Sequence, residues 1–203
     1  KINGCVAVLG DKVQKGDKVE VGKEITEMQK KYVYIAYYKP KGIVSHNPQS
    51  GEKGIEDIFK WKISLSPLGR LDKASEGLML LSNDGRIVDR LLNPKHAHEK
   101  EYVVSVDKKI TGLFMKNMES GVNIEGYKTK PSIMKKKSFR AFHITLTEGK
   151  KHQIRRMCAA LGYQVQGLKR IRIANIKLGS LKPRQHKIIK DKELQTFLSS
   201  LGM

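Results

Sequence analysis

Cysteine is scarce in this chain. Cys5 and Cys158 are the two found in 203 residues, too few for a disulfide framework and without the CxxC or Cys/His spacing that holds zinc. No apolar run is long enough to cross a bilayer. No basic amphipathic helix or lipidation signal points to a membrane surface, and no secretory signal opens the sequence, so the cytoplasm is the expected compartment. Internal repeats and low-complexity tracts are missing, as is the glycine-rich loop that would cradle a nucleotide cofactor. Acidic residues are also few: 20 Asp+Glu stand against 40 Lys+Arg. They do not cluster, which argues against a metal-dependent nuclease, whose carboxylates must gather near a scissile phosphate.

The sequence does hold an excess of positive charge, a formal +20. Such an excess repels itself in a compact state and does not help folding. It makes sense against a polyanion, because each neutralised phosphate releases counterions and adds salt-sensitive affinity. Nucleic acid is therefore the expected partner. Hydrophobic residues make up 39% of the chain, enough for one large domain or a domain with a small appendage.

Residues 1–25 read as a short β-rich piece, with "INGCVAV" and "DKVEVG" alternating around turn signals, and residues 26–31 as a polar linker. A single larger domain follows over 32–203. Its "YVYIAYY" is a strand, broken by Lys39-Pro40-Lys41-Gly42. A short helix is expected near residues 55–59, then a loop "SPLGRLDKASEG", a buried strand "LMLLS", and a helix over 86–92 stopped by Asn93-Pro94. The run "EKEYVVSV" alternates as a strand, 110–118 has helical spacing, and several strands are expected between 122 and 146. A helix over 150–161 presents Ile154, Met157, Cys158 and Leu161 as one apolar stripe and stops at Gly162. Strands and a turn follow, and a helix over 191–198 closes the chain. Without a strict βαβ rhythm, this alternation predicts an α+β fold with a mixed, largely antiparallel sheet and flanking helices.

Three segments can carry chemistry. Gly69-Arg70-Leu71-Asp72 puts a carboxylate in a glycine-bracketed loop of a very basic chain. An acid weakens phosphate binding unless it has a task, although a structural contact of Asp72 with Arg70 or Ser75 explains the pattern equally well. The run from Glu148 to Met157 sends Arg155 and Arg156 away from the apolar stripe, either to a carboxylate or phosphate or simply into solvent. His152 by itself is neither a base nor a ligand. Tyr102, after a basic stretch, either stacks on an extruded base or fills a strand as an ordinary core tyrosine.

These segments resemble one family. "GRLDKASEGLMLLSNDG" is similar to the signature loop and strand of the RsuA-type bacterial rRNA pseudouridine synthases. "YKPKG", "EKEYVV", "LTEGKKHQIRRM" and "LKRIRIANIKLGSL" resemble further motifs of that family, in the same order. Tyr38 departs from the Asn often found at its position, and Ser75 stands at a threonine position. The resemblance is nearest to the large-subunit rRNA branch, the RluF and RluB kind. It implies a sheet in two abutting halves with a basic central cleft. It also implies that residues 1–25 are the last part of an S4-type RNA-binding domain whose preceding helices lie outside this sequence.

For the site, the resemblance implies Asp72 as the carboxylate acting on the ribosyl centre. Arg155 would be ion-paired to it, and Tyr102 would stack on the base and be able to take up a sugar proton. Arg70 would help to flip the base. The other cations expected to contact RNA are Lys39, Lys41, Lys150, Lys151, Arg156, Lys169 and Arg170. The implied reaction needs no cofactor or metal, its partner is ribosomal RNA, and a monomer is expected. Two other readings fit the charge: a non-catalytic rRNA-binding protein, and an enzyme acting on small-subunit rRNA.

Overall fold

A computed structural model describes residues 1–6, 16, 18–20 and 32–203, which fall into two units, Lys1–Tyr32 and Val33–Met203. In the first unit Asn3 and Gly4 both take positive φ, 51° and 85°, which makes a tight turn between the bridged residues Ile2 and Cys5. Ile2 also bridges Val19. The start of the "INGCVAV" run is thus a turn rather than a continuous strand. The expected linker over 26–31 and most of the β-rich piece lie outside the described residues.

The second unit is α+β. In chain order it runs β1 (Tyr34–Lys39), α1 (Ile55–Ile58), β2 (Ser66–Leu68), β3 (Glu76–Ser82), α2 (Ile87–Leu92) and β4 (Lys100–Val106). After these come α3 (Gly112–Ser120), β5 (Asn123–Ile124), β6 (Tyr127–Lys128), β7 (Ile133–Ser138), β8 (Ala141–Leu146) and α4 (Gln153–Ala160). The chain closes with β9 (Val165–Ile173), β10 (Ile176–Lys177), β11 (His186–Ile188) and α5 (Asp191–Ser200). Among the described residues nine strands form one sheet in the order β11-β1-β3-β9-β4-β8-β7, with β2 added to β3 and β10 to β9. Every pairing is antiparallel except β3 with β9. The sheet's two halves meet at that parallel joint. No described helix is long and apolar enough to cross a membrane.

Helix cover explains the strand sequences. One hydrophobic cluster gathers Ile35, Tyr37, Met79 and Val104 with Phe114 and Met118 of α3 and Ile154 and Met157 of α4. A second gathers Ala36, Tyr38, Leu78 and Leu80 with Ile87 and Leu91 of α2 and Phe197 of α5. β1 and most of β3 are therefore buried on both faces and read as unbroken apolar runs. β4 and β8 alternate between buried and half-buried, so one face of that half of the sheet is left open.

Backbone chemistry fixes the joint and the key helix. Gly77 lies opposite Arg170 across the joint at φ 110°, and a Cβ there would sit 2.3 Å from the Arg170 carbonyl oxygen. Only glycine permits strands this close. At the end of α4 the Gly162 N–H donates to the Ala159 carbonyl and the Tyr163 N–H to the Cys158 carbonyl, the paired bonds of a Schellman stop. The helix begins at Gln153, not Lys150, because His152 takes the left-handed φ of 52°. Two short strands, β2 and β11, are each defined by pairing with a neighbour rather than by their own pattern; β2 falls in the stretch expected to be loop, and β11 in one given no expected structure.

Candidate active site

The loop from Gly69 to Ser75 is held through its main chain from several sides. Ser45, itself buried, donates its hydroxyl to the Leu71 carbonyl at 2.7 Å and accepts the Leu71 N–H at 3.0 Å. The Lys39 ammonium donates to the carbonyls of Pro40, Ile43 and Ser75 at 3.0, 2.7 and 2.9 Å. Arg170 donates to the Leu78 carbonyl at 2.7 Å and the Arg70 carbonyl at 3.2 Å. Arg155 donates to the Ala74 carbonyl at 3.3 Å and the Ser75 hydroxyl at 3.2 Å. The Gly42 N–H reaches the Lys73 carbonyl at 2.8 Å. Inward-facing carbonyls need donors, and buried cations are tolerated where such carbonyls surround them. Burial and the nearby Arg170 guanidinium pull the Lys39 ammonium down to about 8, while Asp72 and Glu76 resist the shift.

With its backbone fixed, the loop presents Asp72 to a cleft of about 690 Å³. Leu68, Leu71, Leu146, Ile154, Leu168 and Ile173 give the cleft apolar walls, and Arg70, Lys100, Lys150 and Lys151 give it charge, with His152 beside them. A volume of this size suits a nucleoside-sized group. Two acids line it, Asp72 and Glu148. Glu148 is buried and consumed: it accepts from the Tyr127 hydroxyl at 2.5 Å, the Lys130 N–H at 3.1 Å and the Gln153 amide at 2.7 Å. Asp72 is about one-third exposed, and the His152 ring lies beside it, Nε2 to Oδ1 at 3.5 Å. Tyr102 lines the same cleft, placed by the pleat of β4 beside Arg170 of β9 and Ile144 of β8. Burial and the Arg170 charge lower the pKa of Lys100, on the same face of β4.

Several expectations for individual cations need correction. Lys39 and Arg170 are 0% and 3% exposed, so they serve the loop and cannot grip RNA. The expected Asp72–Arg155 ion pair is not formed: the Arg155 guanidinium is spent on Ala74, Ser75 and, at 3.4 Å, the Val165 carbonyl. Arg156 pairs with Glu125 at 3.0 and 2.5 Å, outside the cleft lining. Lys41 is exposed but does not line this cleft, and Lys169 lines the opposite face of the sheet, so neither touches a nucleoside held here. Arg70, Lys150 and Lys151 are exposed along the cleft. The structure adds His152, Lys100, Ser45 and the Glu148–Gln153 pair. His152 lay within a motif and lacked only a visible partner, whereas nothing in the sequence marked Ser45.

A lone available carboxylate in an apolar cleft rimmed by cations, at the joint of a two-part mixed sheet, defines an enzyme that acts on a nucleic-acid unit. Comparison with known proteins narrows that class. The family model for RNA pseudouridylate synthases matches residues 33–160. The chain is 41% identical over 195 residues to the dual-specificity RNA pseudouridine synthase RluF of Escherichia coli strain K12, covering 95% of this chain and 67% of that protein. It is 36% identical over 190 residues to the ribosomal large subunit pseudouridine synthase B of Bacillus subtilis strain 168, covering 89% and 78%. A crystal structure of a pseudouridylate synthase superposes with a TM-score of 0.77 at 27% identity, over 99% of this chain and 87% of that one. The chain belongs to the RNA pseudouridylate synthase family.

Proposed function

We propose that this protein isomerises a uridine of large-subunit ribosomal RNA to pseudouridine, with Asp72 as the catalytic carboxylate. One observation carries the assignment. Of the two acids lining the cleft, Glu148 is saturated by internal donors and Asp72 is left facing the space where a nucleoside fits. The relatives named for RNA and for the large ribosomal subunit supply the substrate class.

On this reading the target base leaves its stack, at a cost of roughly a few kcal/mol, offset by phosphate contacts from Arg70, Lys150 and Lys151. The Asp72 carboxylate acts at the ribosyl centre as the N1–C1′ bond breaks. The freed uracil turns, C5 bonds to C1′, C5 releases its proton and N1 takes one up, so the change is redox-neutral. Tyr102 stacks on the base, and its phenolic oxygen takes up a sugar proton as the base departs and returns it as C5 bonds to C1′. Arg155 is a positioning residue that steadies the Asp72 loop through Ala74 and Ser75, and His152 orients the carboxylate. The sequence pattern of residues 1–25 is that of an S4-type RNA-binding segment, and the protein works as a cytoplasmic monomer.

The test is to incubate the protein with purified large- and small-subunit rRNA, label pseudouridine with a selective reagent, and look for reverse-transcription stops. A new stop in large-subunit rRNA is expected. A stop confined to small-subunit rRNA would move the substrate. RNA binding with no stop in either would leave only a binding protein.

A further inference from the structure

The sheet carries a second cleft on the face opposite the candidate active site. Along β9, Leu168 and Arg170 line the first cleft while Lys169 and Ile171 line the second. Along β4, Lys100 and Tyr102 line the first while Glu101 and Val103 line the second. Successive strand residues point to opposite faces, so the two clefts stand back to back across the same strands. The second has a volume of about 570 Å³ and lies where β4 and β8 leave one face half open.

Its charge is nearly all of one sign. Lys137, Lys169 and Lys177 come from three different strands, β7, β9 and β10, and line one space together with Arg172 and His143. The acid in the lining, Glu101, is already neutralised: Arg172 donates to it at 2.9 Å and the His143 ring lies 3.1 Å away. A further Arg172 nitrogen is held by Glu99 at 2.9 Å. Glu76, cross-strand from Lys169, accepts from the Tyr38 hydroxyl at 2.9 Å, while the Lys169 ammonium lies over the Tyr38 ring at 5.6 Å. No described carboxylate pairs with Lys137, Lys169 or Lys177. Three cations are therefore gathered without their counter-charge, an arrangement that opposes folding and favours an anionic ligand.

We infer that this back cleft is a second RNA-backbone site, which grips phosphates of a more distant segment of the same RNA while the front cleft holds the target nucleoside. The inference rests on RNA being the substrate, and its test separates the two. The triple variant Lys137→Gln/Lys169→Gln/Lys177→Gln is compared with a charge-matched control, Lys60→Gln/Lys116→Gln/Lys192→Gln, whose exposed lysines line neither cleft. Each is titrated with a minimal stem-loop substrate and with a long rRNA fragment, over a salt series, and single-turnover pseudouridine formation is followed at saturating RNA. On the long RNA the back-cleft variant is expected to bind roughly tenfold more weakly, with the salt slope reduced by about 2 to 3. The stem-loop affinity, the control variant and the saturated rate are expected to stay as in the wild type. Unchanged binding of the long RNA overturns the site. So does equal weakening by both triple variants, or equal weakening for both RNAs, because either assigns the effect to overall charge or to the front cleft. A wild-type protein that binds long RNA but forms no pseudouridine refutes the isomerase reading and leaves the binding comparison intact.

Discussion

Lys39→Met separates a structural lysine from one that touches RNA. Methionine keeps the unbranched stem and its packing but removes the ammonium, so the carbonyls of Pro40, Ile43 and Ser75 lose their shared donor. Each buried carbonyl left unpaired costs about 1–3 kcal/mol, and relief from burying the charge returns part of the sum. A net loss of about 3 kcal/mol follows, which for a domain of this size lowers Tm by roughly 6–12 °C. Arginine should not rescue, because a planar fork cannot reach carbonyls arranged around a point charge. The pH dependence gives an independent check. The folded lysine titrates near 8, below its ordinary 10.5. Between those values the unfolded chain holds a proton that the folded chain has released, so this residue makes wild-type stability rise with pH across that window. The variant should lack that rise. Melting curves at several pH values and RNA titrations at several salt concentrations make the assay. An unchanged Tm with weaker RNA binding and a smaller salt slope would refute the reasoning and restore Lys39 to the RNA interface.

Gly77→Ala would place a methyl 2.3 Å from the Arg170 carbonyl oxygen at a positive φ, and should cost roughly 3 kcal/mol or more by forcing the two half-sheets apart. A urea midpoint close to wild type would contradict the close approach. Asp84 is buried, accepts from the Tyr34 hydroxyl and pairs with Arg86 through two nitrogens, and the Arg86 contacts lower its pKa from 3.8. Its contribution is present above that ordinary value and is lost as pH falls through the lower folded one. Asp84→Asn should therefore flatten the acid limb of a stability–pH curve, and an unaltered limb would count against the ion pair. His152→Gln, which keeps a polar group able to donate beside Asp72, should retain much more single-turnover activity than His152→Ala, while both bind RNA normally. Equal rates in the two variants would remove His152 from the site.

Much of the fold was legible in the sequence because its strongest signals are local. The stripe of Ile154, Met157 and Cys158 placed α4 against the sheet, and the Gly162 stop is the Schellman turn observed. Unbroken apolar runs marked β1 and β3 because both of their faces are covered. What escaped was tertiary in origin. A lysine after a strand and an arginine in an alternating run read as surface cations, and only the closed loop shows that Lys39 and Arg170 point inward to carbonyls. β2 and β11 become strands only by pairing with β3 and β1. His152 gained meaning when a left-handed residue at the start of α4 set its ring beside Asp72, a residue 80 positions earlier in the chain.

The central claim stands on the Asp72 side chain, and Asp72→Asn tests it most directly. The change keeps shape and removes charge, leaving the main-chain anchors of the loop in place. Single-turnover pseudouridine formation should fall by on the order of a thousandfold or more, with an unchanged melting temperature and RNA affinity equal to or tighter than wild type. An amide variant that still forms pseudouridine at the wild-type rate would contradict the account.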